Sequence, residues 1–178
     1  IMLANLLKKN EIKNLIFFNY SPRLDKFLYW SQQLIAESLG KNGKGFLPLV
    51  SQAPKDHHSL AQLYLDGPKD KIFYIFSEKI NSSKKIRIKK MSKKIDFLSN
   101  KSLNQVKYAQ KNAFIKILKK NNIPFREFEI LESSEETLGE FFSYFMLETA
   151  IIGKLSNINP FNQPAVEQIK INTENILA

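Results

Sequence analysis

The chain has 178 residues, 43% of them apolar and 12% aromatic, enough to bury one sizeable core and too apolar for a disordered segment. It has no cysteine, which excludes disulfides and thiolate metal sites and suits the cytoplasm, and its 2 histidines cannot build a histidine-rich metal site. The net charge of +10 invites a nucleic-acid role, but the basic residues are mostly lysines spread among Asn, Ile and Phe, a set that AT-rich codons explain, and arginine occurs only as Arg23, Arg87 and Arg126.

Met2 to Leu7 with Lys8 to Asn10 reads as a short helix, and Ile1-Met2-Leu3 reads as the inside of a longer polypeptide. Asn14 to Tyr20 is a short apolar run rich in β-formers and predicts a buried strand. Ser21-Pro22 then offers an N-cap and a proline at the first helical position. Leu24, Phe27, Leu28, Leu34 and Ile35 follow at helical spacing, and Gly40 stops a helix of about 21–39. Gly43, Gly45, Pro48 and Pro54 punctuate 41–59, which reads as an extended loop. Leu60 to Leu65 predicts a short helix closed by Asp66-Gly67-Pro68, and Lys71 to Ser77 a second strand. Lys84 to Lys94 is a dense basic run, and such runs are usually solvated faces or loops, so nucleic acid is a disfavoured partner. Leu103, Val106, Gln110, Ala113, Ile117 and Leu118 mark a second long helix, ended by Asn121-Asn122 and Pro124. Phe125 to Ile130 is the third strand. Glu135 to Leu155 is a helix apolar nearly all round, which predicts burial in a core or at an oligomer interface. Asn159-Pro160-Phe161 breaks it, and an amphipathic segment runs from Pro164 to Leu177. No stretch approaches the length of a spanning apolar helix, so no membrane is expected as a partner.

Strands alternating with helices predict an α/β fold with a mainly parallel sheet flanked by helices. Ligands in such folds collect at the carboxyl ends of strands, here the loops after Tyr20 and Ser77. The glycines at 40, 43 and 45 do not follow a strand in the GxGxxG pattern and are not a nucleotide signature.

One carboxylate is oddly placed. Glu37 falls in the last turns of the helix in Trp30 to Gly45, where the helix end carries partial negative charge and disfavours an anion. A carboxyl group that must take and return a proton gains from such a place.

Three segments, in order, carry a resemblance: Gln33 to Lys41 (QLIAESLGK), Asp56 to Pro68 (DHHSLAQLYLDGP) and Asn159 to Lys170 (NPFNQPAVEQIK). The chain resembles the C-terminal half of the glucose-6-phosphate isomerase family over essentially its whole length. The resemblance implies a three-layer α-β-α sugar-isomerase (SIS) domain over 1–155, followed by a tail over 156–178 that bears the family signature and a helix. It implies an aldose–ketose isomerisation through a cis-enediol, with no metal or organic cofactor. Glu37 matches the family's base, His58 its ring-opening histidine and Lys170 the lysine that assists at the ring oxygen or O1. Gln33 and Gln163 match its substrate-contacting glutamines. His57 stands where the family usually has glutamine, and Asn162, Ala165 and Ile169 also depart from the common pattern.

The resemblance further implies a sugar-phosphate substrate and a homodimer in which the histidine reaches the partner's site. It implies a missing N-terminal SIS domain that holds the phosphate and supplies an arginine, for which Arg23, Arg87 and Arg126 are no counterparts. On that basis the isolated chain is expected to be inactive. The alternatives are a regulatory SIS domain that only senses a sugar phosphate and, less favoured, a basic module centred on Lys84 to Lys94.

Overall fold

The computed structural model describes residues 2–9, 11–79 and 93–178. Its elements are α1 (Met2–Lys9), β1 (Asn14–Asn19), α2 (Asp25–Leu39), β2 (Leu47–Gln52), α3 (Asp56–Ser59), α4 (Ala61–Asp66), β3 (Lys71–Glu78), α5 (Leu103–Lys120), β4 (Phe125–Ile130), α6 (Glu135–Leu155) and α7 (Pro164–Leu177). The four strands form one parallel sheet in the order β2-β1-β3-β4. The basic run Lys84 to Lys94 lies outside the described residues except at its last two positions.

Because side chains alternate across a strand, the sheet feeds two cores. Leu15 and Phe17 of β1 join Ile72, Tyr74 and Phe76 of β3 on one face, packed under α1, α2 and α6. Ile16 and Phe18 join Phe73 and Ile75 on the other, packed against Tyr64 of α4 and Phe114, Ile115 and Leu118 of α5. Both central strands are buried on both faces, which is why they read as unbroken apolar runs. The result is the expected three-layer α-β-α arrangement.

The loop expected over 41–59 contains a strand, β2, and the short helix α3. Pro48 hides the strand in the sequence. β2 is the edge of the sheet, and Leu47 N–H faces β1, donating to Lys13 O at 2.7 Å. Neighbouring residues along a strand face opposite ways, so the nitrogen of Pro48 points outward and no ladder bond is lost.

Three helices also differ from expectation. Pro22–Leu24 is a 3-10 turn ahead of α2, and the Ser21 hydroxyl does not cap it but donates to Glu78 Oε2 at 3.0 Å. The inward side of α5 is Lys111, Phe114, Ile115 and Leu118, whereas Leu103, Ala113 and Ile117 are exposed. A capping box of Ser102 and Gln105 starts that helix. α6 turns Phe145, Thr149, Ile152 and Gly153 into the core, yet leaves Leu147 63% and Ile151 55% exposed, so only one of its apolar sides is buried within the chain. α7 is exposed along its whole length. Among the described residues no helix is long and apolar enough to cross a membrane.

Candidate active site

Glu37 sits in the last turn of α2, half-buried. Gln33, one turn earlier, is its i,i+4 neighbour, and Gln33 Nε2 donates to Glu37 Oε1 at 2.9 Å. The chain then reverses through Gly40 to Gly45. Gly45 has φ +130, and a Cβ there would lie 2.9 Å from the Gly40 Cα, so the tight return needs glycine.

The C-terminal segment closes over this turn. After α6 the chain doubles back, with Ile158 N–H donating to Gly153 O at 2.8 Å. A Cβ on Gly153 would meet Ile158 O and the Pro160 ring at 3.2 Å, so the glycine lets them approach. Lys41 Nζ donates to Asn159 O at 2.6 Å, and Lys44 Nζ to Ser156 O at 3.1 Å. Loss of water pushes the Lys41 ammonium below its ordinary range. Asn159 Oδ1 accepts from Phe161 N–H at 3.0 Å and shapes the turn toward α7. Gln163, the residue before α7, then reaches Glu37: its Nε2 donates to Oε2 at 2.6 Å.

Each oxygen of Glu37 therefore holds one amide. An ionised carboxylate only accepts hydrogen bonds, so both amides present their NH2 groups to it. Among the described residues Glu37 makes no ion pair. It is a half-exposed carboxylate fixed by neutral donors rather than by a countercharge.

His58 lies elsewhere. It is on α3, beyond the carboxyl end of β2, whereas the turn that follows Glu37 leads into the amino end of that strand. The six residues of β2 span roughly 20 Å. The two side chains thus stand at opposite ends of the sheet. The Glu37 cluster is at the amino ends of the strands, not the carboxyl ends where the α/β rule locates ligands.

Buried Asp56 anchors α3. Its Oδ2 accepts from Ser51 Oγ at 2.8 Å and from Gln52 N–H at 2.7 Å, and its Oδ1 from Ser59 Oγ at 2.8 Å. Burial alone would raise this carboxyl, but those hydrogen bonds and the Lys55 charge outweigh it and hold Asp56 below its ordinary range. His57 is half-buried and shares a 2.7 Å hydrogen bond between Nε2 and Tyr20 OH, while His58 is exposed. Lys170 lies on exposed α7, where its Nζ donates to Glu167 Oε1 at 2.7 Å. The fold brings Gln33, Glu37 and Gln163 together, with His58 and Lys170 bonded to none of them.

Sequence reasoning missed the two lysine ties and a second polar cluster. Arg126 on β4 donates to Tyr74 OH at 2.9 Å and pairs with Glu148 and Tyr144 of α6. Together with Leu3, Leu147, Ile151 and Ile152, Arg126, Tyr144 and Glu148 line a cavity of about 490 Å³. Lys41 was visible within QLIAESLGK, but its acceptor lies far away in the sequence. Arg126 carries no local signal. Among the described residues no group of three or more His, Cys, Asp or Glu could hold a metal.

No protein-family model matches the chain. The glucose-6-phosphate isomerase of Mycoplasmopsis pulmonis is 38% identical over 97% of this chain and 40% of its own length. A crystal structure of a hypothetical protein from Thermus thermophilus superposes with a TM-score of 0.88 at 28% identity, covering 99% of this chain and 44% of that one. A crystal structure of the glucose-6-phosphate isomerase of Chlamydia trachomatis shares the fold, with a TM-score of 0.76 at 18% identity over 93% of this chain and 35% of that one. The chain spans about two-fifths of the length of the curated relatives it matches. In sequence over nearly its whole length the chain is thus similar to part of a glucose-6-phosphate isomerase, and it shares the fold of one.

Proposed function

We propose that this chain is the C-terminal part of an isomerase that interconverts glucose 6-phosphate and fructose 6-phosphate in cytoplasmic glycolysis and gluconeogenesis. Residues 1–155 form its second SIS domain and 156–178 its tail. The observation that carries the proposal is the carboxylate of Glu37 held between the amides of Gln33 and Gln163.

Once the sugar ring is open, Glu37 takes the proton from C2 as the C2–H electrons form the enediol double bond, and O1 gains a proton. Glu37 then returns its proton to C1 while the O2 hydroxyl gives up its own, so the carbonyl moves to C2 and the proton gained at O1 is balanced by the one lost from O2. No electron leaves the sugar, so the reaction needs no external oxidant or reductant. A carboxylate held by neutral amides can take both protonation states without losing a countercharge. Gln33 and Gln163 orient it and contact the substrate hydroxyls. Lys170 swings from Glu167 to the ring oxygen or O1, where an ammonium stabilises developing negative charge.

His58 opens the ring, since an imidazole can donate and accept a proton near neutral pH. It does so in the site of a second copy, because in its own chain it lies across the sheet from Glu37. The working protein is therefore a homodimer. The phosphate site and an arginine come from the missing N-terminal SIS domain, so the isolated chain is inactive.

A coupled assay on the longer polypeptide, run beside the 178-residue chain, tests this. Turnover is expected in the first and absent in the second. Near-native turnover by the short chain would refute the division of labour. A long form that binds sugar phosphate without turnover would mark a sensor instead.

A further inference from the structure

We propose that His57, through its bond to Tyr20, is a positioning residue that sets the direction in which α3 presents His58. The inference rests on the role given above to His58.

α3 is a single turn of four residues, too short to hold itself in water. Its orientation must come from what its side chains grip. Asp56 grips the end of β2 through Ser51 and the Gln52 amide. His57 grips the end of β1 through Tyr20 OH, at 2.7 Å. The imidazole also meets Phe18 edge-on at 5.2 Å and 90°, and Phe114 of α5 at 5.4 Å and 83°. One polar bond and two aromatic contacts thus fix a ring that any rotation of α3 would have to pull out.

Successive helix residues differ by about 100° in direction. With positions 56 and 57 committed inward to two different strands, 58 is left to face solvent, as it does. The two neighbouring histidines are thereby divided in function. Burial, and then the charge of His58, hold His57 below its ordinary range, against the opposing pull of Asp56. The groups facing or flanking it are Tyr20, Lys55, Asp56 and His58, and burial pushes the Tyr20 hydroxyl up, so it stays protonated. His57 is left as a neutral strut, and His58 keeps proton exchange with the substrate.

The test uses the long polypeptide for kinetics and the 178-residue chain for spectroscopy. Tyr20→Phe keeps the ring and removes only the hydroxyl, and His57→Leu removes the polar grip. Each should lower kcat roughly tenfold to a hundredfold, the scale of a misplacement of about 1 Å. KM should hold, because the Glu37 cluster is at the other end of the sheet. His57→Gln, which can still reach Tyr20, should restore most of the rate. In the short chain, nitrogen NMR should show His57 neutral with Nε2 bonded, and Tyr20→Phe should move only the His57 ring signals strongly. If His57→Leu does not fold, Tyr20→Phe and the wild-type spectrum decide. Wild-type kcat in folded Tyr20→Phe, with His58→Ala disabled, would overturn the inference and leave the proposed function standing. Full activity in His58→Ala would instead overturn the role of His58, and the inference with it.

Discussion

Gln163 Nε2 donates to Glu37 Oε2 at 2.6 Å although 126 residues separate the two in the chain. Burial does not hold this contact, since α7 is exposed throughout. What fixes it lies behind it: Ile158 is buried in the core after the reversal at Gly153, and two lysines tie the segment, Lys41 to Asn159 O and Lys44 to Ser156 O.

Replacing both lysines by methionine should therefore loosen the C-terminal segment and leave the sheet intact. Hydrogen bonds to charged donors contribute about 1.5–3 kcal/mol when shielded and less when exposed, so about 1–2 kcal/mol of local opening is expected. Hydrogen exchange should accelerate at residues 156–163 and stay unchanged in β1 and β3. Uniform acceleration would show that the ties serve the whole fold.

Glu37→Gln keeps the size of the side chain and removes the proposed base. In the long polypeptide kcat should fall about 10²- to 10⁴-fold, the usual scale for a general base. Stability should shift by no more than about 0.5 kcal/mol, because the site is partly open to solvent. Steady-state kinetics beside urea unfolding checks both. Retained turnover removes Glu37 from the chemistry.

Acid should unfold the chain in two stages. His57 is held below its ordinary 6.5, so the unfolded histidine takes a proton first. Its stabilisation is complete above about 6.5 and is lost as pH falls through the lower folded value. Asp56 is held below its ordinary 3.8, so its contribution is complete above that value and is lost as pH falls further. A plot of Tm against pH should decline below about 6.5 and steepen below about 4. His57→Gln should remove the first decline and Asp56→Asn the second.

Lys111 is 3% exposed and reaches three acceptors: Ser77 Oγ at 3.2 Å, Glu127 Oε1 at 2.5 Å and Glu129 Oε1 at 3.1 Å. Burial would lower its ammonium, but the two carboxylates outweigh that and raise it. Lys111→Met fills the same space and leaves two like charges together on β4. Because both glutamates are more than a third exposed, the loss should be about 2 kcal/mol rather than the roughly 3–5 of a fully buried pair. Urea unfolding reads it, and Glu127→Gln in the same background should recover part.

Local patterns made most elements legible. β4 and α6 have the bounds that the apolar runs and breakers indicate, because each is defined by residues in direct succession. β2 was hidden because proline and glycine usually mark loops, and only its place at the sheet edge makes Pro48 tolerable. The inward side of α5 was misjudged because Lys111 is buried by carboxylates from another strand, which helical spacing cannot foretell. The site divides in the same way. Gln33 beside Glu37 follows from i,i+4 geometry, but the arrival of Gln163 depends on a reversal at Gly153 and on backbone carbonyls far along the chain. That Glu37 and His58 face opposite ends of the sheet follows from a strand the sequence did not disclose.

Pro48 also bears on how copies of this chain can meet. Its ring leaves the free side of β2 without one of the N–H groups that an added strand would need. Backbone pairing from another molecule is disfavoured there, so the sheet does not grow by strand addition at this edge. Copies that meet along β2 must therefore do so through side chains, which leaves β4 as the edge of the sheet still able to pair by backbone.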